Sequence, residues 1–205
     1  MAFSMPCCVK PVERLLQALK RPGTRAVLLV FSAVLLAACS QGEAGGAFEV
    51  KQVEAQWSNG RIAIQYRQQL RLSSEAQNAL VHGVPLTFET DIILRDAKTQ
   101  TRLERNRSRH EIRFLPLSEH YQLSNADGSD VRTYPRLRHA LAALGRADVS
   151  FETGALPAGE YELLVRSFLD KNAMPPPMRL PALCSSRWDH QSNWTSWPLQ
   201  FEPGA

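Results

Sequence analysis

Arg105, Arg107 and Arg109 recur at every second position, with Arg113 continuing the pattern. On an extended strand that spacing puts the guanidinium groups on one face. Guanidinium binds phosphate bidentately, so such a stripe suits the phosphates of phospholipid or lipopolysaccharide. Its plainer reading is a solvated outer face, kept charged to discourage strand pairing at an edge. Trp188, Trp194 and Trp197 set three indoles within ten residues, just after a proline-rich stretch. Indoles can form a platform for glycan or peptide, or they can staple a final strand to the core. These six residues form the candidate binding surface.

The other chemistry-bearing residues do not assemble into a recognisable site. His82, His110, His120, His139 and His190 include no pair at helical i, i+4 spacing. Cys184, Asp189 and His190 are the nearest cluster, and their spacing matches no familiar zinc site. Serine-nucleophile signatures of the G-x-S-x-G or S-x-x-K kind are absent, as is a glycine-rich loop after a strand. Asp127 and Asp130 stand in Asn-Ala-Asp-Gly-Ser-Asp, whose residues stabilise turns, and a calcium loop would need more oxygen ligands in register. The expectation is a domain with no catalytic residues, no metal and no cofactor.

Cys39 carries a different chemistry. Residues 1–25 hold Lys10, Arg14, Lys20, Arg21 and Arg25 against the single acid Glu13, and residues 26–38 are apolar but for Ser32. A basic segment followed by an apolar one is the pattern of an export signal. The 13-residue run is short of the roughly 20 that a membrane-crossing helix requires. It ends in Leu36-Ala37-Ala38-Cys39, the form of a lipobox, in which small residues admit the peptidase and a thiol accepts diacylglycerol. The expected product begins at Cys39, lipid-attached, on the periplasmic side of a cell envelope. Ser40, where aspartate would signal inner-membrane retention in enteric-type sorting, favours the outer membrane.

Removing the leader changes the electrostatics. Residues 1–38 hold five of the 24 basic residues and one of the 20 acidic ones, so the remainder balances at 19 of each. The high pI belongs to the leader and gives no support to a nucleic-acid partner. Cys7 and Cys8 leave with the leader and Cys39 is acylated, so Cys184 has no partner for an intramolecular disulfide and is expected as a buried free thiol.

These residues are positioned by a chain that reads as a signal over 1–38, a lipidated cysteine and flexible tether over 39–47, one β-rich domain over 48–201 and a tail over 202–205. A strand over Phe48 to Trp57, the turn Ser58-Asn59-Gly60 and the strictly alternating Arg61 to Leu72 predict a hairpin with one wet face. Ser73 and Ser74 can cap a short helix, with Gln77 in the capping-box position and Gly83 as its stop. Leu86, Phe88, Ile92 and Leu94 alternate, and a turn at Asp96 to Thr99 leads into a long polar strand ending at Leu115. A second helix is expected to begin near Pro135 and end at Gly145, followed by strands at Val149 to Phe151, from Tyr161, and at Trp197 to Phe201. Met174 to Met178 and Pro181 favour extended polyproline geometry. The fold class expected is mainly β (α+β), an antiparallel β-sandwich-like domain with two short helices.

Taken in order, the signal, the segment Gly83-Val84-Pro85-Leu86-Thr87-Phe88, the strand Leu117 to Leu123, the helix Leu137 to Gly145 and the stretch Trp194 to Trp197 resemble the proteobacterial exported proteins grouped as DUF4390. That resemblance implies an envelope role and carries no catalytic residue to this chain. Where the family would show an aromatic-rich strand after Asp96, this sequence has the arginine-rich Arg102 to Arg113. The functional expectation is therefore a non-enzymatic module that binds or regulates an envelope protein. A carrier of a lipid or cell-wall ligand is the alternative, and an envelope hydrolase the least supported.

Overall fold

The computed structural model describes residues 46–154 and 156–201. The expected leader, Cys39, residues 40–45 of the expected tether and the tail 202–205 lie outside the described residues. The expected hairpin is present: β1 (Ala47–Ser58) pairs antiparallel with β2 (Arg61–Arg71). Asn59 and Gly60 both take positive φ, 52° and 76°, as a two-residue turn matched to the strand twist requires. Strand β1 starts at Ala47, paired with Arg71, one residue inside the expected tether. In β1 the inward positions change parity, from Phe48 and Val50 to Val53, because a bulge falls between Val50 and Gln52.

The remaining strands are β3 (Leu86–Asp96), β4 (Arg102–Leu115), β5 (His120–Asn125), β6 (Arg132–Tyr134), β7 (Arg146–Glu152), β8 (Gly159–Leu169) and β9 (Thr195–Phe201). Strand β7 joins the free side of β2 to give a three-stranded sheet, β1-β2-β7, while the others form a six-stranded sheet in the order β6-β5-β4-β3-β8-β9. Neighbouring strands in both sheets run antiparallel. The two sheets pack their apolar faces together, so the mainly β, sandwich-like expectation describes the domain.

Among the described residues, three short α-helices accompany the sheets rather than two. Helix α1 (Ser74–Val81) is capped by the Ser73 hydroxyl, which accepts the Ala76 N–H, while the Gln77 side chain donates to the Leu72 carbonyl. Helix α2 (Leu137–Leu144) begins two residues after Pro135, with Arg136 as its extended N-cap. Helix α3 (Pro176–Cys184) overturns the polyproline expectation. Pro176 and Pro177 occupy its first two positions, where a missing N–H costs nothing, and their fixed φ suits a helix as well as it suits polyproline. The helix turns Ala182 into the core and leaves Cys184 exposed, which corrects the expectation of a buried thiol.

The interior is divided. One cluster gathers Phe48, Leu70, Leu80, Leu86, Phe88, Ile112, Leu123, Met174 and Trp188 beneath the helices; the other gathers Val50, Ile62, Ile64, Ile92, Leu94, Leu163 and Val165 between the sheets. Hydroxyl-bearing residues lie where they meet. On the inner face Thr90 Oγ1 is 2.9 Å from Ser167 Oγ, which in turn donates to Gln68 Oε1 of the opposite sheet at 2.5 Å. The Tyr66 hydroxyl reaches the same layer; burial raises its pKa, opposed by Thr90 and Ser108.

His190 seals the helical end of the core. It is almost fully buried, and its Nε2 accepts the Ser73 N–H at 2.9 Å, which requires a neutral ring protonated on Nδ1. Burial lowers its pKa, against the Trp188 carbonyl and Asp189, which raise it. A ring depressed in this way stabilises the fold above its ordinary value of about 6.5, and that stability is lost as pH falls through the folded value. His110, lowered by burial and by Arg132, acts in the same sense. Thermal unfolding followed between neutral and mildly acid pH should therefore show Tm falling on acidification. His190→Gln, whose amide oxygen can replace Nε2 as acceptor, should reduce that fall without abolishing it.

Gly145 is held by close approach rather than by its own torsions. Its φ is −72°, yet an added Cβ would stand 2.5 Å from the Gln68 carbonyl oxygen, and its own carbonyl accepts the Gln68 N–H at 2.8 Å. Gly145→Ala should cost about 2 kcal/mol in urea denaturation. An unchanged midpoint would show that the strand and helix can move apart freely.

Candidate functional site

Strand β3 has strands on both sides and apolar residues on its inner face, and its outer face carries Thr87, Glu89 and Asp91, all buried. Antiparallel register sets Asp91 opposite Arg107 of β4 and Arg166 of β8, and Glu89 opposite Arg109 and Phe168. The alternation that sends Phe88, Thr90 and Ile92 inward thus sends two carboxylates into a row of guanidinium groups. Asp91 receives Arg107 Nε at 2.7 Å and Arg105 at 2.9 Å, with Arg166 at 3.5 Å. Glu89 forms ion pairs with Arg109, whose Nε is 2.7 Å away, and with Arg107 at 3.3 Å. Arg109 also reaches Asp170 at 2.6 Å, just beyond the end of β8, where Asp170 Oδ1 accepts the Asn172 N–H.

The cluster is layered. Side-chain exposure is 39–48% for Arg105, Arg107 and Arg109 but 0–9% for Asp91, Glu89 and Asp170. The acids lie beneath and the cations face solvent, so this surface is electropositive although its charges nearly cancel. Arg166 extends it sideways: its guanidinium carbon lies 4.7 Å from the Trp194 ring centre and 5.0 Å from that of Phe168, within cation–π range. Its Nε is buried with no hydrogen-bond partner among the described residues.

The two central acids respond oppositely. Burial pushes Asp91 up, but the hydrogen bonds and charges of Arg107 and Arg105 outweigh it and hold the carboxyl below its ordinary value. Burial likewise raises Glu89; Arg109 and Arg107 oppose the rise, neighbouring Asp170 adds to it, and the net shift is upward. Two carboxyls pushed apart can mark an acid–base pair. Here arginines contact both carboxyls, Asp91 through hydrogen bonds and Glu89 through ion pairs. The arrangement is one of outward-facing guanidinium donors paired with buried counter-ions, beside a half-exposed indole.

The six expected surface residues therefore separate. Arg105, Arg107, Arg109 and Trp194 share this face. Trp188 is buried in the helical core, and Trp197 on β9 packs against the inter-sheet core with its Nε1 buried. The stripe does run along an edge for part of its length, since β5 pairs only with His110 to Leu115 and the Ala126 N–H reaches the Arg109 carbonyl, which leaves Arg102 to Ser108 paired on one side, to β3. Glu89, Asp91, Arg166, Phe168 and Asp170 were not singled out from sequence. The signal for the first two was available: two acids, two residues apart, on the polar face of an apolar strand that a short turn joins to the arginine stripe.

At neutral pH the charged Asp91 stabilises the fold. That contribution is present above the ordinary aspartate value and is lost as pH falls through the depressed folded one. Glu89, with its value raised, contributes in the reverse sense, so its ionisation opposes folding at neutral pH. Asp91→Asn should lower stability at neutral pH by about 1–3 kcal/mol, by leaving arginine donors without their charge partner. Glu89→Gln should leave it unchanged or raise it. Equal losses from both substitutions in chemical denaturation would contradict this division of roles.

Comparison with known families matches residues 46–198 to the domain of unknown function DUF4390. No curated protein and no solved structure matches the chain.

Proposed function

For this chain, which belongs to the DUF4390 family, we propose the role of a lipid-anchored protein of the cell envelope that binds a partner protein and catalyses no reaction. The observation that carries the binding role is the layered face of β3, β4 and β8, where Arg105, Arg107 and Arg109 project over buried Asp91 and Glu89 beside Trp194. Arginine and tryptophan are the residue types that dominate binding energy at protein interfaces, and here both are held in place before a partner arrives. The leader and the Leu36-Ala37-Ala38-Cys39 sequence support export and acylation, with the outer membrane as the favoured location. Two or three acyl chains make attachment stable, whereas one alone binds marginally. The ligand-carrier reading has less support because the space between the sheets is filled by packed side chains.

Two measurements test this. Intact mass of the membrane-extracted protein should correspond to a chain beginning at an acylated Cys39, and Cys39→Ala should move the protein to the soluble fraction. Retention of residues 1–38, or an unmodified Cys39, would sink the anchor. A photo-crosslinking residue placed at Arg107 or Trp194 should capture one defined envelope protein that the same probe at Gln65, on the outer face of the small sheet, does not. Identical capture patterns from both faces would remove this surface from the proposal.

A further inference from the structure

A second surface lies where β2 outruns its partner. Pairing between β2 and β7 ends at Arg67 and Arg146, one residue short of the Gly145 turn into α2, while β1 stays paired to β2 as far as Arg71. The Gln68 N–H donates to the Gly145 carbonyl, and the Gln68 carbonyl oxygen lies close under Gly145, so the Gln68 main chain faces away from β1. Main-chain direction alternates along an antiparallel strand, so Leu70 faces the same way. No strand lies there among the described residues. Instead there is an open groove of about 490 Å³ between Gln68 to Leu72 on one wall and Leu137, Arg138 and Leu141 of α2 on the other. The Leu72 carbonyl is already taken by Gln77, which leaves the N–H and C=O of Leu70 directed into the groove.

The groove's chemistry specifies an occupant. Leu137 and Leu141 provide partly buried apolar contacts, while Arg71 and Arg138 are the charged residues of its lining. Both walls come from segments with bases and no acid: Arg61 to Leu72 contains three arginines, and Tyr134 to Ala147 contains Arg136, Arg138, His139 and Arg146. We propose that this edge receives an extended acidic segment of a partner protein, which adds as a short strand beside Leu70. Such a strand would supply the main-chain hydrogen bonds that Leu70 lacks on this side among the described residues, set alternate apolar side chains against Leu137 and Leu141, and set acidic ones near Arg71 and Arg138. By contrast, the open edge of β4 is lined with its own charges, which discourage strand addition there. The inference rests on the binding-module reading and names a partner segment for it, but it needs neither the anchor nor the arginine face.

The test uses the full chain and two synthetic capped hexapeptides, one alternating valine with glutamate and the other valine with lysine. At millimolar concentration the glutamate peptide should slow hydrogen exchange over Gln68 to Leu72, and the lysine peptide should not. Arg71→Glu with Arg138→Glu, both at exposed positions, should weaken the glutamate peptide roughly tenfold or more and reverse the preference. Absence of protection by the glutamate peptide overturns the proposal, as does equal protection by both peptides or protection confined to β4. A glutamate peptide in which every valine is N-methylated should give no protection, and protection by it would likewise exclude strand addition. Loss of crosslinking at Arg107 with peptide protection intact would remove the arginine face alone.

Discussion

A carboxylate with no exposure to solvent has to be neutralised where it stands, and Asp91 occupies such a position on the central strand of the large sheet. Cross-strand neighbours are the side chains nearest to it, and both are arginines, Arg107 and Arg166. Much of the outer face follows from that. Arg107 is shared with Glu89, Glu89 with Arg109, and Arg109 with Asp170, so one buried charge continues into a network spanning three strands. Each guanidinium is anchored at its inner side and free at its outer side. Removing an arginine such as Arg107 leaves a buried carboxylate short of its counter-ion, which is why such networks are costly to break from the cationic side even where their net stabilisation is modest.

The inner face of the same strand obeys a different constraint. Phe88 and Ile92 belong to two separate apolar clusters, and Thr90 between them faces Ser167 and, through it, Gln68 of the opposite sheet. Hydrogen bonds join Thr90, Ser167 and Gln68 across the two sheets, so this layer fixes how the sheets register more tightly than apolar contact alone would. Gln68 also bonds Gly145 at the end of α2 and borders the open groove. The junction of the two cores, the end of β7 pairing and the exposed edge at Leu70 thus coincide within three residues of β2.

Much of this was legible in the sequence because period-two patterns are local. The alternation of Arg61 to Leu72, the Asn59-Gly60 turn and the long polar strand ending at Leu115 each match the observed elements. Proline was the misleading signal, since its fixed φ serves polyproline and the first turn of a helix equally, and only packing of Met174, Ala182 and Trp188 into the core selects α3. Cysteine misled similarly: Cys184 is apolar enough to bury, yet the helix places Ala182 inward instead.

The candidate sites show where sequence stops. By itself the sequence determined that the arginines share one face of a strand, that Phe88 and Ile92 point opposite to Glu89 and Asp91, and that a basic segment precedes the apolar run of residues 26–38. It did not determine which strand lies beside which. Pairing of β3 with β8, some 70 residues away, brings Arg166, Phe168 and Asp170 to the buried acids and converts an isolated basic stripe into a layered face carrying Trp194. Similarly, β7 begins only at Arg146, after α2 and Gly145, so β2 runs on past it, and that difference in length opens the groove beside Leu70. Side-chain direction is set within a few residues of backbone, whereas the neighbours of a strand are set by packing of the whole chain.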